Sequence, residues 1–283
     1  MENLGYYDGK YDLIENMTVP FDDRVHYYGD GVYDATCAGN HIIFNLEEHV
    51  ERFFNSAGLL QIKIPLTKEE LKQTLIEMVN KVDGDELFVY WQVTRAVAPR
   101  KHVFPDQEAK LWIMIRPSKI GDPKQQLKLI TIEDTRFLHC NIKTLNLIPN
   151  VMASQKGELA GCDEIVFHRG ERVTECSHSN LHIIKDGKFI TPPADHYILA
   201  GIARAHLIKM CKQLTIPVEE TVFTVQEMME ADEVIISSSS NFCLSAYEID
   251  GKKVGGKAPE LLHKLQAALM DEYLVATNQK EAK

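Results

Sequence analysis

The stretch FLHCNIKTLNLIPNVMASQ, residues 137–155, contains one formally charged side chain, Lys143. An ammonium set among Ile142, Leu145, Leu147 and Ile148 loses part of its hydration. That disfavours the charged form and frees the amine as a nucleophile. A lysine in this condition suits Schiff-base chemistry. The window also fits a strand-end lysine whose stem packs while its head reaches water. Taken alone, it favours the second reading.

Downstream, Glu175 lies in Val173-Thr174-Glu175-Cys176-Ser177-His178-Ser179-Asn180. A carboxylate among small hydroxyl residues is either a buried, hydrogen-bonded anion or a turn residue, and in isolation the turn is favoured. Gly201-Ile202-Ala203-Arg204 opens a helix after Leu199, and helix N-termini offer free N–H groups to anions. Ser237 to Ser240, with Asn241, close an apolar strand with small polar side chains that suit an oxyanion or a phosphate, or a solvated loop. Upstream, Arg100 and His102 sit in the proline-bounded loop PRKHVFP, residues 99–105. A substrate carboxylate is the natural ligand of such a cationic loop; a basic surface loop is the plain alternative. Gly29-Asp30-Gly31-Val32-Tyr33-Asp34 begins like a dinucleotide fingerprint. Its final glycine is missing and a strand follows, so the phosphate logic fails. His178 and His182 have the spacing of a zinc pair on a helix, but their segment reads as strand and no third ligand stands out.

Asp-Gly-Lys occurs at 8–10, 186–188 and 250–252, each time between strand-like residues. Asp-Gly signals a two-residue hairpin, because a type I′ turn needs positive φ at both central positions. Ala38-Gly39-Asn40 predicts a further hairpin between 32–37 and 41–44. The apolar spacing of Leu46, Val50, Phe53, Phe54, Ala57 and Leu60 predicts a helix over 45–60 with Asn45 as its cap. Thr67 and Glu70 form a capping box opening a helix to about Val82. Strands are expected over 86–94 and 110–116, then near 127–133, 163–168, 179–185, 232–237 and 243–249. Helices are expected near 150–160, 201–214 and 257–275. Hairpins and helices mix without regular alternation, which predicts an α+β fold in two domains. The proline- and glycine-bearing linker at 119–123 divides them near residue 120, into 1–118 and 124–283.

The 283 residues carry 41 acidic against 31 basic side chains, a net charge of −10. That balance argues against nucleic acid and anionic membranes as partners, since both demand an excess of cations. The six cysteines include no C-x-x-C pair and read as scattered reduced thiols. No metal site, signal peptide or membrane span is expected, and the expected compartment is the cytoplasm.

Together these segments resemble the fold-type IV pyridoxal-phosphate enzymes, the class-IV aminotransferases, and within them the D-amino-acid branch. The resemblance covers nearly the whole chain and implies a small α/β domain at 1–118 and a larger, barrel-like domain at 124–283. It rests on Asp23-Arg24, GDGVYD (29–34), EEHVERFFNSA (47–57), FVYWQVTR (88–95), PRKHVFP (99–105), CNIKTLNLIPNV (140–151), VTECSHSN (173–180), LAGIAR (199–204) and the serine cluster. It implies pyridoxal phosphate bound to Lys143, which would also move the substrate's α-proton, and Glu175 bonded to the pyridine nitrogen. It further implies a phosphate held by Arg52, the amides of Ile202 and Ala203 and the hydroxyl of Ser239, with Leu199 against one ring face. Tyr33, Arg100 and His102 resemble the trap for the substrate carboxylate. In the family, that arginine and histidine arrive from the neighbouring subunit of a homodimer. The implied reaction is transamination of D-alanine with 2-oxoglutarate. Rivals on the same scaffold are a 4-amino-4-deoxychorismate lyase and a branched-chain L-amino-acid aminotransferase; outside catalysis, the rival is a pyridoxal-phosphate carrier. Three positions depart from the family pattern: Ala203 lacks the usual threonine hydroxyl, and Cys176 and His178 replace glycine or serine.

Overall fold

The computed structural model describes residues 1–281. They form two compact units. The first comprises Met1–Ile120, Ile142–Asn146 and the residues from Tyr273 onward; the second comprises Gly121–Asn141 and Leu147–Glu272. The expected linker at 119–123 spans the first change of unit, and the chain changes unit again at 142, 147 and 273.

The first unit is built on a six-stranded antiparallel sheet. Its strands are β1 (Leu4–Tyr7), β2 (Lys10–Asp12), β3 (Gly31–Gly39), β4 (Ile42–Ile43), β5 (Glu86–Thr94) and β6 (Lys110–Pro117), in the order β2-β1-β6-β5-β3-β4. Leu87, Val89, Trp91 and Val93 alternate along β5 and are all fully buried, the period-2 pattern of a strand with one covered face. Helices α1 (Val25–Tyr28), α2 (Leu46–Leu59) and α3 (Lys68–Val79) complete the unit. Val50 and Phe53 of α2 and Leu71 and Leu75 of α3 join the same core, with Phe53 meeting Trp91 edge to face. The capping box at Thr67 and Glu70 is present. Asn45 does stand at the cap of α2, but in the left-handed region and with no side-chain cap bond.

The second unit holds a nine-stranded sheet. Its strands are β7 (Gln126–Glu133), β8 (Glu164–Arg169), β9 (Arg172–Cys176), β10 (Asn180–Lys185), β11 (Lys188–Thr191), β12 (Val218–Glu220), β13 (Glu233–Ser237), β14 (Leu244–Ile249) and β15 (Lys252–Lys253). The order is β12-β11-β10-β13-β14-β7-β8-β9, with β15 on β14. Residues 177–179 alone link β9 to β10, although four strands lie between them in the sheet. Five strand spacings in a flat sheet would cover about 24 Å, whereas the link reaches at most about 15 Å. The sheet therefore curls into a barrel-like wall, and Leu129, Val166, Leu181, Val234 and Ile236 meet in one core. Helices α4 (Ile148–Leu159), α5 (Ile202–Gln213), α6 (Val225–Met229) and α7 (Pro259–Ala276) accompany it. The fold is α+β, as the sequence predicts.

All three Asp-Gly pairs adopt positive φ at both residues and close the β1–β2, β10–β11 and β14–β15 hairpins. The β3–β4 turn falls instead at Asn40-His41, where φ is 47° and 61°. The extra strand length at Ala38 and Gly39 comes from their pairing with Leu87 and Glu86 of β5.

Candidate active site

In the first unit the site is built on β3, where alternation sends Tyr33 and Asp34 to opposite faces. Residues 142–145 add to the free edge of β3: Tyr33 N–H donates to Lys143 O at 2.9 Å, and Leu145 N–H to Gly31 O at 3.0 Å. The Lys143 N–H donates to Ser56 Oγ of α2 at 3.2 Å. Backbone bonds on both sides thus hold Lys143 in place while its stem stays free. Its Nζ lies 4.3 Å above the Tyr33 ring, which in turn stacks on Tyr90 at 5.4 Å. An ammonium on an aromatic face is favoured by the ring quadrupole.

On the other face Asp34 is fully buried and binds Arg52 of α2 side-on, Nε to Oδ2 at 2.9 Å and Nη2 to Oδ1 at 2.7 Å. His49, one turn earlier, puts Nδ1 2.7 Å from Asp34 Oδ1. Burial pushes the Asp34 carboxyl up, but Arg52 and His49 outweigh it and hold the group well below the usual carboxylate range. Two bonds to a fixed carboxylate set the plane of the Arg52 guanidinium before any ligand arrives. Arg100 and His102 lie elsewhere in this unit. Both are exposed, with the Arg100 guanidinium 5.4 Å and the His102 ring 5.3 Å from the Tyr28 ring.

In the second unit Glu175 belongs to strand β9, not to a turn. The turn comes after it, at 177–179. Glu175 Oε1 accepts from Arg136 Nη1 at 2.6 Å, and Oε2 accepts from Asn180 Nδ2 and the Leu199 N–H, each at 3.0 Å. Complete burial pushes its pKa up to about 7 against the pull of these donors. Arg136 is itself shared, since Asp134 takes its Nε and Nη2. Asn180 also donates to Leu199 O, which fixes both polar groups of the Leu199 backbone. Gly201 follows, and a Cβ there would stand 2.0 Å from Asn180 Oδ1, so only glycine fits. Gly201 caps α5 without a side-chain bond, and the N–H groups of Ile202 and Ala203 begin the helix. Ser239 lies in the turn closed by Ser238 N–H to Asn241 O, just past β13.

A buried polar chain joins that turn to α5. His182 contacts Ser237 Oγ through Nε2 at 2.8 Å and Thr191 Oγ1 through Nδ1 at 2.9 Å. Arg204 Nε donates to the same Thr191 oxygen, and its Nη2 reaches Glu220. His178 goes to a separate cluster, 2.9 Å from Glu164 and from Ser177 Oγ. The buried Cys176 closes the turn through its N–H to Ser179 O.

Lys143 meets Tyr33 on one face of β3 and Arg52 meets Asp34 on the other, while Glu175 and Leu199 are joined through Asn180 just ahead of Ile202 and Ala203. Asp34, His49, Arg136 and Asn180 escape the sequence reading. Asp34 is visible only as the alternate neighbour of Tyr33, and Arg136 stands just outside the charge-free window around Lys143.

A family model described as amino-transferase class IV matches residues 31–249. A D-alanine aminotransferase from Listeria monocytogenes serotype 4b is 39% identical, with 94% of this chain and 95% of that enzyme covered. One from Staphylococcus haemolyticus is 37% identical, with 92% and 94% covered. Among solved structures, the Escherichia coli branched-chain amino acid aminotransferase superposes with a TM-score of 0.87 at 20% identity, covering all of this chain and 97% of that one. That of Thermoproteus uzoniensis gives 0.87 at 23%, covering 98% and 96%. At such identities the structures show the shared fold. The extent of the family match and the identity to the Listeria enzyme place this chain in the class IV aminotransferase family.

Proposed function

We propose that the chain is a pyridoxal-phosphate-dependent D-amino-acid aminotransferase that passes the amino group of D-alanine to 2-oxoglutarate, giving pyruvate and D-glutamate. The observation that carries this reading is its similarity, along nearly the whole chain, to D-alanine aminotransferases. Pyridoxal phosphate, when bound, supplies a protonated ring that draws electrons from the substrate α-carbon.

Each unit by itself carries residues that suit part of that group. Glu175 would face the ring nitrogen from a buried position fixed by Arg136, Asn180 and the Leu199 N–H. The uncapped start of α5, with Ile202 and Ala203, suits the phosphate, as does the Ser239 turn. Arg52 would add a fixed positive charge, and Leu199 an apolar ring contact. Lys143 would attach the cofactor and then, as a free amine at Nζ, take up the α-proton and return it. Tyr33 would bind the substrate carboxylate together with Arg100 and His102, the latter two arriving from the partner subunit.

The active form is a homodimer in this reading. Supporting it, α4 leaves Ile148, Val151, Met152 and Leu159 exposed on helical spacing, an apolar stripe that a second copy would cover. All six cysteines are free thiols, which suits the cytoplasm. Among the described residues no helix is long and apolar enough to cross a membrane.

The test supplies the purified enzyme with D-alanine, L-leucine or 4-amino-4-deoxychorismate. Pyruvate formed from D-alanine beyond one equivalent per enzyme only when 2-oxoglutarate is present supports the proposal. Preference for L-leucine, or pyruvate from aminodeoxychorismate without an acceptor, replaces it with a rival. No turnover of any donor leaves the carrier reading.

A further inference from the structure

Residues 95–109 join β5 to β6 with no regular secondary structure, a length at which a connection needs outside support. That support centres on Asp30, the middle residue of the GDG segment. Its carboxylate receives Arg24 Nε at 2.7 Å and Arg95 Nε at 3.0 Å. All three side chains are almost fully covered, at 12%, 3% and 9% exposure for Asp30, Arg24 and Arg95. Both arginines also donate to backbone carbonyls. Arg24 Nη1 donates to Lys101 O at 2.5 Å and approaches Val103 O at 3.4 Å, the two carbonyls that flank His102. Arg95 donates to Leu60 O and Gln61 O, and the ring of Phe104 lies 3.7 Å over its guanidinium. Arg24 also lies 4.8 Å from the Tyr28 ring, the ring on which Arg100 and His102 rest. The start of the loop is bound as well, through Arg24 N–H to Ala96 O and Ala98 N–H to Asp22 O.

Four separated stretches of sequence therefore meet at one carboxylate: Asp23-Arg24, GDGVYD, the end of FVYWQVTR and PRKHVFP. We propose that Asp30, Arg24 and Arg95 are positioning residues for substrate-carboxylate recognition, holding the 99–105 loop in the shape that presents Arg100 and His102. The proposal rests on the reading of those two residues as the carboxylate clamp. The chemistry is that of a shared anion. One carboxylate fixes two guanidiniums side by side: the Arg24 fork donates to the loop carbonyls, and the Arg95 fork, tied to Leu60 and Gln61, offers its face to the Phe104 ring. Asparagine at position 30 would keep the volume but leave two buried cations facing each other.

Hydrogen–deuterium exchange over 99–105 and steady-state kinetics on the holoenzyme test this with Asp30→Asn, Arg24→Gln and Phe104→Ala. The expected result is faster exchange in the loop and a KM for D-alanine raised ~10-fold for the first two and ~3-fold for Phe104→Ala. Values of kcat should stay within ~3-fold and cofactor affinity within ~2-fold, the signature of lost substrate binding rather than lost chemistry. Unchanged exchange, or kcat and cofactor affinity falling together with KM, would overturn the proposal. Phe104 is 57% exposed, so its variant folds even where the buried ones do not and carries the test alone. Arg100→Ala is measured in parallel. An unaltered KM there refutes the clamp reading, and the exchange data then show separately whether the loop is held.

Discussion

At the scale of single residues, the chemistry follows from where charge is desolvated. Lys143 is fixed by its backbone and carries an amine over an aromatic face. Borohydride treatment of the holoenzyme should label Lys143, as peptide mapping would show, and label on another lysine would refute its role. Lys143→Ala should keep part of its cofactor affinity and lose turnover, because the group that moves the proton is gone. In the proposed site Glu175→Gln would replace the carboxylate that faces the ring with a neutral group and should lower kcat at least ~10-fold, about 1.4 kcal/mol of barrier. An unaltered kcat, with proton removal rate-limiting, would show that Glu175 lacks that role. His182 makes a different kind of prediction. Burial and the nearby Arg204 push its pKa down to about 3, so the folded state holds it neutral while the unfolded chain protonates near 6.5. The stability it allows is complete above pH 6.5 and is lost as pH falls towards 3, with a slope of up to about 1.4 kcal/mol per pH unit. His182→Gln keeps a donor and an acceptor but does not titrate. Urea unfolding at pH 7 and pH 5 should therefore show a smaller acid loss in the variant; equal losses would place His182 outside the acid response. Lys143 stands out as the one charge of its window, though the window alone favours a strand-end lysine. Asp34 and Arg136 do not stand out, because their pairs with Arg52 and Glu175 span 18 and 39 residues and no local pattern announces such pairs.

At the scale of elements, local chemistry is legible wherever it acts within a few residues. Three Asp-Gly turns and the Thr67 box appear as read, since each needs only its own φ angles or its own first turn. Glu175 reads wrongly as a turn residue because the hydroxyl-rich stretch after it is the turn, while its own strand is defined by pairing with β8. Gly201 shows how an element end and the site are coupled. A methyl group at 201 must displace Asn180, which bonds both Glu175 and Leu199. Gly201→Ala should cost about 1–3 kcal/mol of stability and loosen cofactor binding in the same variant. Thermal melts with and without pyridoxal phosphate would check it, and wild-type melting in both would show that the contact yields freely. The α4 stripe makes its own prediction. Val151→Glu with Met152→Glu should raise the dimer dissociation constant at least ~10-fold in sedimentation. A dimer unaffected by both charges would place the subunit contact on another face.

At the scale of the whole molecule, the α+β class is legible but the sheet orders are not. The curl of the second sheet depends on β14 lying parallel to β7 across more than a hundred residues, and no periodicity encodes that pairing. The return of 142–146 to the first unit is equally invisible, because it is made by backbone bonds to β3. Substrate choice belongs to this scale too, since a D- and an L-amino acid differ only in the arrangement of four groups around one carbon. Both can present the α-hydrogen to one lysine only if carboxylate and side chain exchange places. The carboxylate clamp therefore selects the enantiomer. With Arg100, His102 and Tyr33 as that clamp, the enzyme should convert D-alanine to pyruvate and leave L-alanine essentially untouched. Arg100→Ala removes a charge-assisted, planar contact and should lower kcat/KM for D-alanine by about 2–3 kcal/mol. The loss should narrow the gap between enantiomers, because the anchor that ranks them is the one removed, while cofactor absorbance stays intact. Parallel progress curves for both alanines, with wild type and Arg100→Ala, measure this directly. A D-to-L ratio that survives the substitution unchanged would mean that stereochemistry is set by the side-chain pocket, not by the carboxylate.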